Sequence, residues 1–241
     1  MPWLSVVIPV FDERDNLAPL HRELGAALAP VPGGVEFVYV DDGSRDGSAE
    51  ALAELAKGDE RVRVLRFERN AGQTAAFAAG FEAARGEVIA TLDADLQNDP
   101  ADLPRLLAAL DRADVVNGVR AARRDGFVRK LSSRIGNGFR NWMTHESVTD
   151  VGCSLRVMRA SYVKRVKLYR GMHRFLPTLL RMEGARVVEV PVNHRPRGSG
   201  RSKYGIANRL FVGLADVFAV RWMQRRKLTW QIRPPGDGTA S

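Results

Sequence analysis

The sequence predicts an α/β fold: a Rossmann-like, mostly parallel central sheet with flanking helices and a C-terminal helical extension. Three observations carry that expectation. Short apolar runs alternate with segments of helical length through the first 120 residues, the pattern of βαβ units. Two of those runs, ending at Val40 and Leu92, lead directly into carboxylates, as expected at the carboxyl edge of an open α/β sheet, where such folds place their ligands. The 241 residues, 45% of them hydrophobic, suffice for one domain with a substantial core.

Taken in order, the strand candidates are Leu4–Val10, Val35–Val40, Arg61–Phe67, Glu87–Leu92 and Asp114–Val119. Between them lie helical segments at Asn16–Ala29, Ser48–Lys57, Thr74–Arg85 and Leu103–Arg112. Asp46-Gly47-Ser48 offers a cap for the second helix, and Asp99-Pro100 with Asp102 offers one for the fourth. Beyond Arg120 the pattern changes to a basic helix over Phe127–Met143, a strand over Gly152–Met158, a helix over Phe175–Met182 and a closing strand over Val187–Val192. Arg195–Tyr204, with Gly198 and Gly200 among its basic residues, reads as a mobile loop, followed by a final helix over Ile206–Arg226. Residues 1–205 are thus expected to form one domain, 206–228 a packing or amphipathic helix, and 229–241 a disordered tail.

Charge divides the chain. Residues 1–120 carry 12 basic and 21 acidic side chains, whereas residues 121–241 carry 25 basic and 7 acidic ones. An acidic part suited to a cation therefore adjoins a basic part suited to phosphates or an anionic surface. The single cysteine excludes an intramolecular disulfide and a cysteine-based metal cluster, and points to a reducing compartment. The longest weakly charged stretch, Leu210–Val220, is far short of the roughly 20 apolar residues that cross a bilayer. With no basic segment ahead of the first strand, neither a membrane span nor a secretory leader is expected.

The acidic strand ends hold the candidate chemistry. If the backbone stays extended past Leu92, Asp93, Asp95 and Gln97 point the same way and converge from one strand end. Two carboxylates and an amide oxygen form a hard-oxygen set suited to Mg²⁺ or Mn²⁺. At Asp41-Asp42, carboxylates are placed to accept hydrogen bonds from a nucleobase N–H or a ribose hydroxyl, while Asp46 and Ser44 fit turn and cap roles. Neither a G-x-G-x-x-G nor a G-x-x-x-x-G-K-[ST] pattern occurs, which argues against a dinucleotide or P-loop enzyme.

Together these segments resemble the family 2 glycosyltransferases, and within them the dolichyl-phosphate mannosyltransferase-like branch, which includes bacterial polyprenyl-phosphate sugar transferases. The resemblance rests on Val6–Val10 followed by Phe11-Asp12-Glu13, on Asp41-Asp42-Gly43-Ser44, on Arg69-Asn70-Ala71-Gly72-Gln73-Thr74 and on Asp93-Ala94-Asp95-Leu96-Gln97. It continues through Asn117-Gly118-Val119-Arg120, the segments Arg129–Arg134 and Asp150–Arg156, and Arg197–Tyr204, covering most of residues 4–205. It implies a GT-A fold, a nucleotide-sugar donor (GDP-mannose or a UDP-sugar), an inverting transfer and a Mg²⁺ or Mn²⁺ cofactor. By motif, Pro9, Phe11, Glu13, Asp42 and Asp93 would bind the nucleotide, and Asp93, Asp95 and Gln97 the metal. Asp95, Arg120 and Arg129 would be catalytic, with Arg129, Ser133, Arg197 and Lys203 facing the acceptor phosphate. Two departures stand out: Phe11-Asp12 where the family often has Tyr-Asn, and Gly118-Val119-Arg120 where it often has Gly-Ser-Arg.

A diphosphate leaving group needs its developing charge stabilised, a task for a divalent metal and arginines. A lipid phosphate acceptor is already anionic and needs no general base, whereas a sugar hydroxyl would want a carboxylate or histidine. Of the histidines, His21 is expected to be solvated on a surface helix, and His145, near Asp150, is the candidate for a catalytic role. The favoured expectation is transfer to a polyprenyl (dolichyl or undecaprenyl) phosphate by a cytoplasmic protein, peripheral on the cytoplasmic membrane face. The alternative acceptor is a glycan hydroxyl in a cell-envelope polysaccharide. A nucleic-acid-binding module is disfavoured, since aromatic content is only 7% and the basic residues are not interleaved with aromatics. The oligomeric state is not readable from the sequence.

Overall fold

The computed structural model describes residues 1–120, 138–146, 148–196 and 206–228. Within them the expected alternation is realised as β1 (Leu4–Val10), α1 (Arg14–Leu28), β2 (Val35–Asp41), α2 (Ser48–Gly58), β3 (Val62–Arg66), α3 (Gln73–Ala83), β4 (Val88–Thr91), α4 (Leu103–Ala108) and β5 (Val115–Arg120). The second half adds α5 (138–144), β6 (Arg156–Arg159), α6 (Ala160–Val163), α7 (Leu176–Met182), β7 (Val187–Val192) and α8 (Ile206–Arg226).

Seven strands form one sheet in the order β3-β2-β1-β4-β6-β5-β7. The pairs β1–β2, β2–β3, β1–β4 and β5–β7 are parallel, while β6 runs antiparallel to both β4 and β5. The strand expected over Gly152–Met158 is thus shorter and later, because residues 151–155 form a turn and loop before Arg156 joins the sheet.

Side chains of β1 alternate between two cores, the period-2 signature of a strand buried on both faces. Val6, Ile8 and Val10 pack with Leu17, Leu20 and Leu24 of α1, whereas Val7 packs with Phe77 and Phe81 of α3. At Gly80 a Cβ would lie 2.3 Å from Val7 Cγ1, so only glycine lets α3 approach the sheet this closely.

Chain order reverses at β1, which has β2 on one side and β4 on the other, so the crevice beyond their carboxyl ends is the topological switch point. The β1–β4 pairing ends at Val7 while β1–β2 pairing runs to Val10, which opens that crevice. Pro9 falls in the stretch where β4 has already left, a position compatible with its missing N–H.

One face of α8 is anchored on the domain, where Val217 and Val220 bury against Met172, Phe175 and Leu179. Gln224 donates to the carbonyl of Thr144 at 2.8 Å, tying α8 to α5. Among the described residues no helix is long and apolar enough to cross a membrane.

Candidate active site

The loops leaving β1 and β2 are sewn to one another. Asp12 N–H donates to Ser44 Oγ (3.0 Å), Glu13 N–H to Ser48 Oγ (3.0 Å), and Arg14 N–H to Asp46 Oδ2 (3.0 Å). In return Arg45 N–H donates to Asp12 Oδ1 at 2.8 Å, and Asp12 holds a left-handed φ of 51°. Asp46 also receives the N–H of Ser48 at 3.0 Å, the turn its sequence suggests, but it does not cap α2, whose N-cap is Gly47 with no side-chain hydrogen bond. The Glu13 carboxylate accepts from Asn16 Nδ2 at 2.6 Å, and Pro9 is buried within β1.

At the end of β2, both aspartates are buried. Asp42 accepts from Ala71 N–H (2.7 Å), Gly72 N–H (2.9 Å) and Asn70 Nδ2 (2.9 Å). Burial raises its carboxyl against the pull of those two amides. Gly43 has a φ of +73°, and a Cβ there would sit 2.7 Å from the Arg69–Asn70 backbone, so the close approach of this loop requires glycine. Asp41 Oδ1 accepts from Ser44 N–H at 2.9 Å, while its buried Oδ2 has Arg66 Nε only at 3.5 Å, too far for a good hydrogen bond. Asp42 thereby fixes the loop that starts α3, and the first helical residue, Gln73, donates to Asp93 Oδ1 at 2.7 Å.

The end of β4 corrects one expectation. The strand stops at Thr91, whose hydroxyl donates to the carbonyl of Ser154 at 2.6 Å, and the chain then bends through residues 94–96, with Leu96 at a φ of 60°. The alternation of an extended strand therefore does not arrange Asp93, Asp95 and Gln97. A bend does so, closed by Gln97 N–H donating to Asp95 Oδ1 at 3.2 Å. The two carboxylates still feel each other: burial, then the charge of Asp95, push Asp93 up to about 6. A buried Asp95 and a half-buried Asp93 that repel each other form a donor set that a divalent cation would relieve. Among the described residues no group of three or more His, Cys, Asp or Glu is gathered for a metal, so a cation bound here would have at most two carboxylates with amide or carbonyl oxygen, a set that fits Mg²⁺ completed by phosphates.

Arg195 closes this end. Its N–H donates to Gln97 O at 2.9 Å, and its guanidinium pairs with Glu23 and Asp99, each at 2.7 Å. Asp99 caps the following turn through Ala101 N–H as expected, but Asp102 does not cap: it accepts instead from Asn193 N–H at 2.7 Å and from Arg105.

Asp93, but not Asp95, lines a cleft of about 1020 Å³, walled also by residues of the Asn70–Thr74 loop, Arg120, Asp150, Arg156, His173 and Arg174. Arg120 forks onto Asp150, with Nε to Oδ2 at 2.6 Å and Nη2 to Oδ1 at 2.7 Å. Arg156 is buried and donates to Asn117 Oδ1 (2.7 Å), Val151 O (3.1 Å) and His173 O (3.3 Å), binding β5, β6 and the far wall together. Arg129, Ser133, Arg197 and Lys203, and with them most of the Arg195–Tyr204 loop, lie outside the described residues.

The histidines differ from expectation. His21 is not a solvated side chain: it packs edge-on against Phe37, with Nδ1 3.2 Å from Tyr39 Oη and Nε2 3.2 Å from Asp59. His145 is exposed just past α5 with a φ of 52° and does not line the cleft, while the Asp150 carboxylate is engaged by Arg120. The histidine that lines the cleft is His173, whose Nδ1 lies 2.7 Å from Thr74 Oγ1. Burial, then the charges of Arg174 and Arg156, push it down to about 3, so it is neutral at physiological pH.

An α/β sheet whose switch-point crevice ends in paired aspartates, facing an arginine-lined cleft, is the setting in which family likeness becomes decisive. Residues 5–167 match the model of the family described as glycosyl transferase family 2. The chain belongs to that family. It is 40% identical over 230 residues to a dodecaprenyl-phosphate galacturonate synthase of Rhizobium johnstonii, covering 93% of this chain and 68% of that protein. It is 42% identical over 206 residues to an undecaprenyl-phosphate 4-deoxy-4-formamido-L-arabinose transferase of Edwardsiella ictaluri, covering 85% of this chain and 63% of that one. The chain thus spans about two thirds of the length of these curated relatives. Among solved structures, a mannosyltransferase of Pyrobaculum calidifontis in complex with GDP-Man and Mn²⁺ shares the fold with a TM-score of 0.65 at 16% identity, over 95% of this chain and 65% of that one. Glucosyl-3-phosphoglycerate synthase of Mycobacterium tuberculosis, in complex with Mg²⁺ and UDP, shares it with a TM-score of 0.67 at 18% identity, over 92% and 79%. The GT-A expectation is met, and this family 2 glycosyltransferase is a transferase built on that fold.

Proposed function

We propose that the chain catalyses inverting transfer of a sugar from a nucleoside-diphosphate sugar to a polyprenyl phosphate. The carrying observation is Asp93, charge-coupled to Asp95 at the switch point and lining the same cleft as Arg120, Arg156 and Arg174. The identities of about 40% to transferases named for dodecaprenyl and undecaprenyl phosphate support the acceptor class. Asp93 and Asp95, with Gln97 beside them, would hold Mg²⁺ or Mn²⁺. The bound ion would neutralise charge on the leaving diphosphate.

In this reading Pro9, Phe11, Glu13 and Asp42 surround the nucleoside. Asp42 acts by setting the Asn70–Gly72 loop through its three accepted hydrogen bonds. Arg120, oriented by Asp150, is held with its guanidinium plane fixed in the cleft wall. Arg129, Ser133, Arg197 and Lys203 bind the acceptor phosphate; Arg197 follows by two residues the Arg195 that is pinned beside Gln97. An oxygen of the lipid phosphate attacks the anomeric carbon as the bond to the diphosphate breaks, so the nucleoside diphosphate leaves with that electron pair. Because the attacking oxygen is already anionic, no residue needs to remove a proton.

Residues 1–205 form the catalytic unit in this reading, followed by the helical segment 206–228 and the tail 229–241. Phe218 and Trp222 on α8 and Trp142 on α5 are exposed, and α8 ends in Arg225 and Arg226, followed by Lys227. Aromatic side chains beside a basic cluster suit peripheral contact with an anionic bilayer, which supports the reading of an enzyme peripheral on the cytoplasmic membrane face. The test is a transfer assay with undecaprenyl phosphate in detergent and a panel of radiolabelled UDP- and GDP-sugars with Mn²⁺. Metal-dependent formation of a lipid-linked sugar is expected. Donor turnover only onto a glycan hydroxyl acceptor would overturn the lipid-phosphate reading.

A further inference from the structure

Thr74 stands in the first turn of α3 and is buried. Its Oγ1 accepts the N–H of Gly171 at 3.0 Å, so its lone-pair side is already used. Among the described residues its own proton has one acceptor, Nδ1 of His173 at 2.7 Å. A buried hydroxyl proton left without an acceptor is costly, which favours Nδ1 as the acceptor and the ring proton on Nε2. The Phe77 ring, 6.1 Å from the imidazole centroid, limits how that ring can turn.

Nε2–H has no protein partner among the described residues, and His173 lines the cleft. With Nε2 protonated and Nδ1 committed to Thr74, the ring offers the cleft neither a base nor a cation, only a single neutral donor. Phosphate oxygens in this cleft face arginines, which bind anions better; a neutral N–H suits a hydroxyl oxygen. Position agrees with this. Gln73 holds Asp93 and its neighbour Thr74 holds His173, so the cation end and the imidazole hang from successive residues of one helical turn. A sugar carried on a diphosphate at Asp93 has His173 on its cleft side.

We infer that His173 is a sugar-reading residue, fixed as the Nε2–H tautomer by Thr74 and donating to a hydroxyl oxygen of the donor's sugar. This deepens the donor reading above and rests on it. No sequence motif quoted for the family includes it, and it contributes orientation and discrimination between sugars without taking part in proton transfer. A site built to hydrogen-bond a hydroxyl rejects analogues that lack it, because its donor is then left unpaired.

The test measures binding by calorimetry with Mn²⁺ for UDP-glucose, UDP-galacturonate and GDP-mannose, alongside UDP and GDP. For the nucleotide sugar that binds wild type most tightly, His173→Phe should raise Kd about fivefold to tenfold, the loss of one neutral hydrogen bond. Kd for the matching nucleoside diphosphate should change by less than about twofold. His173→Gln, which returns an amide N–H near the Nε2 position, should recover most of the difference. Equal weakening of sugar and nucleotide, or no change in either, would overturn the inference. Should the Phe variant fail to fold, Thr74→Val serves, since freeing Nδ1 should weaken the nucleotide sugar alone. Independently, ¹⁵N spectra of wild type at pH 7 should show Nε2 protonated and Nδ1 bare, and the reverse pattern would overturn the inference whatever the affinities. Failure of wild type to bind any of the three nucleotide sugars would instead strike the donor reading itself, and the inference with it.

Discussion

The two acidic strand ends look alike in sequence and differ in what the fold does with them. Asp42, after β2, is satisfied from within: two backbone amides and an asparagine amide converge on its carboxylate and fix the loop that begins α3. Asp93, after β4, is set beside Asp95, and that company together with burial pushes it up to about 6. One carboxylate organises the protein, and the other is organised by it through Gln73, the residue that follows the Asp42-bound loop. Adjacent acids at a sheet's carboxyl edge therefore point to a site where, as at Asp93, burial and a neighbouring like charge outweigh the partners that lower the carboxyl, here Ser154, Arg156 and Arg120.

Substitutions should separate the two ends, beginning with the largest effect. Asp95→Ala should lower sugar transfer on the order of 10³-fold, since several kcal/mol of charge stabilisation go with the cation, while a urea melt stays near wild type. Loss of fold with loss of activity would place Asp95 with the structural carboxylates. At the other end, Asp42→Ala should cost about 2–4 kcal/mol in urea unfolding, because Ala71 and Gly72 N–H lose a charged acceptor. An unchanged melt would show that the Asn70–Gly72 loop holds itself.

Asp93→Asn should act in the opposite direction on stability. The folded carboxyl titrates near 6, above its ordinary value of 3.8, so the wild-type protein loses stability as pH rises through that window. Without metal at pH 8 the variant should be more stable by about 1–3 kcal/mol, and the gain should vanish below about pH 4. A destabilised variant at pH 8 would mean that Asp93 is compensated as Asp42 is.

The facing wall should show the reverse slope. His173 is held near 3 while an unfolded histidine titrates near 6.5, so below 6.5 the unfolded state binds the extra proton and stability falls as pH falls. Removing the group with His173→Phe should flatten unfolding free energy between pH 6 and 5 by up to about 1.4 kcal/mol per pH unit. Identical slopes would mean that His173 takes up its proton normally in the folded state.

The parallel half of the sheet was legible because β1, β2 and β4 are near-continuous apolar runs that end in turn-forming acids. The antiparallel β6 was harder. Its four residues, Arg-Val-Met-Arg, carry a charge at each end, and Arg156 is tolerated there only because Asn117 and two carbonyls receive it. The chemistry at Asp93 and Asp95 was legible as a residue pattern, but its geometry was not, since a left-handed Leu96 replaces the extended strand that the spacing suggests. The settings of His21 and His173 are not legible in the sequence for one reason. Their partners, Tyr39 and Asp59 for the first and Thr74 for the second, lie 18 to 99 residues away, and no local periodicity announces them. For His173 the available signal is Gly171 and Pro177 bracketing a Met-His-Arg-Phe turn whose Met172 and Phe175 are buried, which marks a fixed backbone but not a ligand.

The most direct test of the contrast is anomalous scattering from a crystal grown with Mn²⁺ and UDP or GDP. The account predicts a manganese peak against the Asp93 and Asp95 carboxylates, with the nucleotide's diphosphate completing its coordination and no peak at Asp41 or Asp42. Manganese bound at the Asp41–Asp42 end, or a diphosphate seated in the cleft with no metal beside Asp93, would contradict it.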